Sequence, residues 1–148
     1  MVCELWHRVI DPGGYYIPAV YFENSGSILL GSHSGQLTWI GVADGSIKGS
    51  YLVEGGGITG MVVLPSNICY GAKESVVFYV IISTVDGQIL VLNCSSKEES
   101  RDVTSVNVAG RFQLPAASFS GFSYGVIGGM KVIYVGCRDD HLYCLVLP

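Results

Sequence analysis

Apolar and polar positions along this chain follow a strand-like rhythm, broken by tight turns. Three segments share it. The first is Ile28-Leu29-Leu30-Gly31-Ser32-His33-Ser34-Gly35-Gln36-Leu37-Thr38-Trp39-Ile40. The second is Tyr79-Val80-Ile81-Ile82-Ser83-Thr84-Val85-Asp86-Gly87-Gln88-Ile89-Leu90-Val91-Leu92. The third is Ile133-Tyr134-Val135-Gly136-Cys137-Arg138-Asp139-Asp140-His141-Leu142-Tyr143-Cys144-Leu145. In each, an apolar run ends at a small residue (Gly31, Ser83 or Gly136), turns sharply and returns as a second apolar run. Asp86-Gly87 between apolar runs is a strong hairpin signal, because such turns need positive φ. Asp140 stands where the other two segments have Gly35 and Gly87. Asp tolerates that conformation better than most residues.

The three turn positions are 52 and 53 residues apart. Self-similarity at this period marks propeller blades or solenoids. The rest of each period is also strand-like. Asp44-Gly45 turns the chain into a further strand over residues 47–53, and residues 103–108 match it after a polar turn at 95–101. Residues 15–22, 58–64 and 112–119 read as the strands that open each period. No stretch has helical periodicity. Four short strands per period make one antiparallel blade. The fold expected is all-β, a partial β-propeller of about three four-stranded antiparallel blades over 11–54, 55–110 and 111–148. Residues 2–10 are expected to close onto the last blade as its fourth strand.

Composition sharpens this picture. Apolar residues make up 49% of the chain and charged residues 14%, so the strands need cover on both faces. Mean hydropathy is high at +0.46. The longest strongly apolar run is residues 76–82, which suits a buried strand and falls short of the roughly 20 residues of a membrane-spanning helix. Residues 1–8 show neither a basic start nor an apolar core of a secretory leader. The net charge is −4 and the eight Lys and Arg are scattered, which argues against nucleic acid as a partner. Five cysteines (Cys3, Cys69, Cys94, Cys137 and Cys144) show no C-x-x-C spacing. They read as reduced, mostly buried thiols of a cytoplasmic protein.

The stretch Gly31-Ser32-His33-Ser34-Gly35-Gln36-Leu37, with Ala43-Asp44-Gly45-Ser46-Ile47 after it, resembles the pyrroloquinoline-quinone-like propeller repeat. Trp6 resembles the tryptophan that ends such a repeat, and Ile17-Pro18-Ala19-Val20 the strand that opens the next. Gly41 and Gly49 depart from the Asp and Trp usual there. No two cysteines are adjacent, as they are in the family's quinone enzymes, so no quinone or other cofactor is expected. The repeats also resemble the C-terminal region of the β-alanine-activating, acyl-CoA-synthetase-like enzymes. That resemblance implies a parent with adenylating and carrier domains, of which this chain would be a fragment or short isoform without ligase activity.

Motifs with catalytic potential fail on context. Gly55-Gly56-Gly57-Ile58-Thr59-Gly60 fits a dinucleotide fingerprint, but that site needs a helix next. Met61-Val62-Val63-Leu64-Pro65 reads as a strand. Gly121-Phe122-Ser123-Tyr124-Gly125 fits a nucleophile elbow, with Asp139 and His141 following, but again the required helix is missing. His7, His33 and His141 lack metal-ligand spacing with the cysteines, and Cys137 and His141 straddle a hairpin. Asn93-Cys94-Ser95 is a glycosylation sequon that stays unmodified in a cytoplasmic chain. Tyr15, Tyr16, Trp39, Tyr79 and Tyr143 read as blade core. The expectation is a non-catalytic interaction or structural module with no catalytic, cofactor or metal residues. Its partner is a protein, or a second copy bound through open blade faces.

Overall fold

The computed structural model describes residues 2–11, 13–23, 26–65 and 75–148. Among them, eleven β-strands form three antiparallel sheets, and no α-helix is present. The first sheet contains β1 (Val20–Phe22), β2 (Ser27–Gly31), β3 (Gln36–Gly41) and β4 (Ile47–Leu52) in that spatial order. The second contains β5 (Ile58–Pro65), β6 (Ser75–Thr84), β7 (Gln88–Lys97) and β8 (Val103–Gln113), again in sequence order. The third contains β9 (Ser123–Ile127), β10 (Met130–Gly136) and β11 (Leu142–Val146). The chain is therefore an all-β partial propeller.

The second sheet lies between the other two, and its alternation shows why residues 76–82 are so apolar. Phe78, Val80, Ile82, Leu90, Leu92 and Cys94 pack with Leu29, Leu37 and Trp39 of the first sheet. Ile81, Ile89 and Val91 pack with Ile133 and Val135 of the third. Successive strand residues point to opposite faces, so a strand covered on both faces must be apolar throughout. Burying each such side chain stabilises the fold by about 1.5–3 kcal/mol.

Within each period a repeated set of backbone bonds fastens the linking segments to the central hairpin turn. The amides of Val53 and Leu114 donate to the carbonyls of Gly35 and Gly87 at 2.9 and 2.8 Å. The amides of His33, Val85 and Arg138 donate to Gly14, Gly57 and Ala117 at 2.9, 2.9 and 3.1 Å. The turn positions share one conformation, with φ of 87° at Gly35, 79° at Gly87 and 66° at Asp140. At Gly35 and Gly87 a Cβ would also stand 2.7 Å from the carbonyl oxygens of Gly56 and Ala116.

Five expectations need correction. Residues 2–10 form no strand and do not pair with β11. Trp6 Nε1 instead donates to the Val42 carbonyl at 3.0 Å, and the Asp11 carboxylate accepts from Ser34 Oγ. Both contacts hold the segment to the first sheet, at the far end of the stack from β11. The third sheet consequently has three strands among the described residues. Residues 112–119 do not open the third blade. Arg111, Phe112 and Gln113 complete β8, so the second sheet runs past 110. Beyond them, the bonds at Leu114 and Ala117 turn the chain until β9 begins at Ser123. At the start of the first period only Val20–Phe22 pairs as a strand.

Candidate functional site

The linking loops and the turns at Gly35, Gly87 and Asp140 gather on one rim. Asp11 accepts the Gly13 amide at 2.8 Å, and Ser34 Oγ is itself 2.8 Å from Ser32 Oγ. The hydroxyls of Ser32 and Ser34 hold the Asp11 carboxyl down at about 2. In the third sheet, Tyr143 donates its phenol to Asp139, which lowers the carboxyl and pushes the phenol up to about 12. Asp44 accepts the Ser46 amide at 2.9 Å and is lowered for that reason. These carboxylates fasten turns. An acid–base role needs a carboxyl raised toward neutrality, and all three are shifted the other way.

The motif residues sit on strands and turns in the structure. Ser123 begins β9, opposite Tyr134, and a strand follows it. His141 Nδ1 donates to the Asp139 carbonyl at 2.8 Å within its own turn. The glycines of 55–60 serve close backbone passage: a Cβ on Gly57 would lie 2.6 Å from the His33 carbonyl oxygen. Among the described residues no group of three His, Cys, Asp or Glu is placed to hold a metal ion. No helix among them is long and apolar enough to cross a membrane.

The cysteines are less uniformly buried than expected. Cys94 is buried, and burial pushes its thiol up to about 12. Cys137 is half-buried and donates to the Ala116 carbonyl at 3.2 Å. Cys3 and Cys144 are exposed, because they lie on segments with no sheet beyond them. Cys69 falls outside the described residues. Asn93 pairs within β7, between Tyr79 and Asn107.

The aromatic residues also divide. Trp39 is fully buried, and Tyr79 and Tyr143 pack partly buried against the second core. Tyr15 and Tyr16 are exposed, contrary to the core assignment, because they sit on the loop before β1. Tyr16 stacks on His33 with ring centroids 3.4 Å apart and meets Phe119 edge-on at 5.7 Å. The Arg138 guanidinium lies 4.3 Å above the exposed Phe119 ring. Tyr16 and Phe119 each follow by two residues the carbonyl that binds the next turn, so they hold one repeat position. His33 and Arg138 hold another. Thr59 and Val85 fill these positions in the second sheet. This signal is visible in the sequence once the linking loops are aligned as well as the strands.

The end of the arc presents a different surface. Leu37, Ile89 and Leu142 each lie two residues after the turn. Leu37 is 0% exposed, Ile89 2% and Leu142 72%. Val146, Met130 and Ile127 extend the exposed apolar surface beside Leu142. Beneath β11, Ile89, Val91, Phe112, Cys144 and Leu145 border a groove of about 410 Å³.

The likeness to known structures is to WD40 propellers. The WD40 domain of SCAP from fission yeast superposes with a TM-score of 0.69 at 12% identity, over 93% of this chain and 30% of that one. The complex of the fission yeast SREBP–SCAP binding domains gives 0.64 at 13% identity, over 93% and 35%. At such identities the likeness is one of fold. The chain spans about a third of each of those proteins. No family model and no curated protein sequence matches it.

Proposed function

We propose that the chain is a non-catalytic protein-interaction module, a propeller arc whose uncovered sheet faces receive another protein. One observation carries this reading. The repeat position that is sealed at Leu37 and Ile89 is open at Leu142, so the third sheet offers the same kind of face on which its neighbours pack. Exposed apolar surface of this kind marks interaction sites. The structure of the SREBP–SCAP binding domains, in which a WD40-type neighbour takes part in a complex, supports the same reading. A cytoplasmic location belongs to the proposal and is supported by the free thiols of the described cysteines. The link to an amino-acid-activating enzyme rests on the repeat resemblance at Gly31–Leu37 and Ala43–Ile47 alone.

The test is binding of a hydrophobic dye to the dilute native chain, before and after Leu142→Lys combined with Val146→Glu. The expected result is dye binding that falls sharply in the double variant while its denaturation midpoint stays put. A native chain that binds no dye overturns the reading.

A further inference from the structure

The two ends of the arc carry complementary halves of one blade. At one end, the third sheet has strands β9, β10 and β11, and the outer edge of β11 is unpaired among the described residues. At the other end, residues 2–10 pair with no strand among the described residues, and Val2, Leu5 and Val9 are 101%, 82% and 87% exposed. Their phase is that of a fourth strand. Gly14 accepts the His33 amide as Gly57 accepts Val85 and Ala117 accepts Arg138. Counting back from Gly14 and Gly57 places Ile10 level with Val53, the residue that follows β4 and bonds to Gly35. Trp6 packs against the Asp44–Gly45 turn so closely that a Cβ on Gly45 would stand 2.7 Å from its ring. Residues 2–10 are thus held beside the first sheet in the phase of a fourth strand, unpaired with any strand among the described residues. The second sheet separates the two halves, so one chain cannot join them. A second copy can.

We propose that residues 2–10 of one copy add to β11 of another as its fourth strand, giving a head-to-tail assembly. This rests on the interaction reading above and names its partner as a second copy. The first sheet sets the register. There Gln36 pairs with Leu52, Leu37 with Tyr51, Thr38 with Ser50 and Trp39 with Gly49, after which the strand bulges. The second sheet bulges at the same place, between Val91 and Leu92. Carried to β11, this register sets Val9 opposite His141, Arg8 opposite Leu142 and Trp6 opposite Cys144. Beyond the bulge, Gly41 donates its amide to the Ser46 carbonyl, and the equivalent pair is Val146 with Cys3. The added strand hydrogen-bonds the open edge and brings the third sheet of one copy against the first sheet of the next. Strand addition to an open edge is a general mode of association, and a head-to-tail contact builds rings or filaments.

The Cys3–Val146 pair supplies the test. Opposed strand residues have the Cα separation a disulfide requires. In the 148-residue chain, Val146→Cys in a Cys144→Ser background should cross-link to Cys3 of another copy under mild oxidation, giving a ladder of dimers and larger species. Val126→Cys, equally exposed but on β9, should not. Arg8→Pro, which removes a ladder amide from a segment that forms no strand within the copy, should abolish the cross-link and shift sedimentation to the monomer with an unchanged circular dichroism spectrum. Equal cross-linking at positions 146 and 126, or a wild-type chain that stays monomeric as concentration rises, overturns the proposal. A monomer that still binds hydrophobic dye overturns strand exchange alone and leaves the interaction reading standing.

Discussion

Leu37 and Leu142 occupy the same step of the repeat, and the first is sealed between two sheets while the second is 72% exposed. Their mutational costs should differ accordingly. Leu37→Ala leaves a cavity against the second sheet and should cost about 2–5 kcal/mol. Leu142→Ala in the dilute chain should change stability by less than about 0.5 kcal/mol. Urea denaturation of the two variants measures this, and equal losses would show that the third sheet's outer face is covered.

The shared left-handed turn gives opposite predictions at Gly87 and Asp140. Gly87→Ala forces a Cβ to within 2.7 Å of the Ala116 carbonyl oxygen at a φ of 79°. The expected loss is about 1–3 kcal/mol. Asp140 already pays for a φ of 66° with a side chain in place. Asp140→Gly should therefore be neutral or stabilise by up to about 1 kcal/mol. Thermal denaturation of both variants gives the signs.

Asp11 should make stability depend on pH in the acid range. Its carboxyl lies at about 2 when folded, against 3.8 ordinarily, because Ser32 and Ser34 donate to the charged form. A depressed carboxyl stabilises the fold fully above its unfolded pKa, and that contribution fades as pH falls through the folded value. The melting temperatures of wild type and Asp11→Asn should differ by a constant amount above about pH 4. The gap should close toward pH 2, and one that widens on acidification contradicts the turn-fastening role.

The thiols should react in an order set by their cover. Cys3 and Cys144 are exposed and should be alkylated first, with half-buried Cys137 following. Cys94 is buried with its thiol pushed up to about 12, so it carries almost no thiolate at neutral pH. It should react only on unfolding. Pulsed alkylation read by mass spectrometry settles the order.

The period was legible because each turn demands residues that tolerate positive φ, so Gly35, Gly87 and Asp140 mark it however the strands vary. The double burial of the second sheet was legible too, since a strand with both faces covered cannot alternate. Residues 112–119 misled because an apolar strand end and an apolar loop look alike until the bonds at Leu114 and Ala117 are seen. Tyr15 and Tyr16 misled because aromatic character does not report which side of a linking loop faces solvent.

The sequence by itself determined the local rules of this protein: hairpins, period, strand faces and, among the described residues, the absence of helices. Those depend on neighbours a few residues apart and on φ preferences that the residues carry with them. Only the tertiary structure decided where residues 2–10 lie. Their pattern fits a fourth strand, but pairing requires an edge within reach, and Trp6 and Asp11 hold them at the first sheet while the open edge lies at the third. Distance across the stack is a property of three packed sheets together, and no single segment of the chain encodes it.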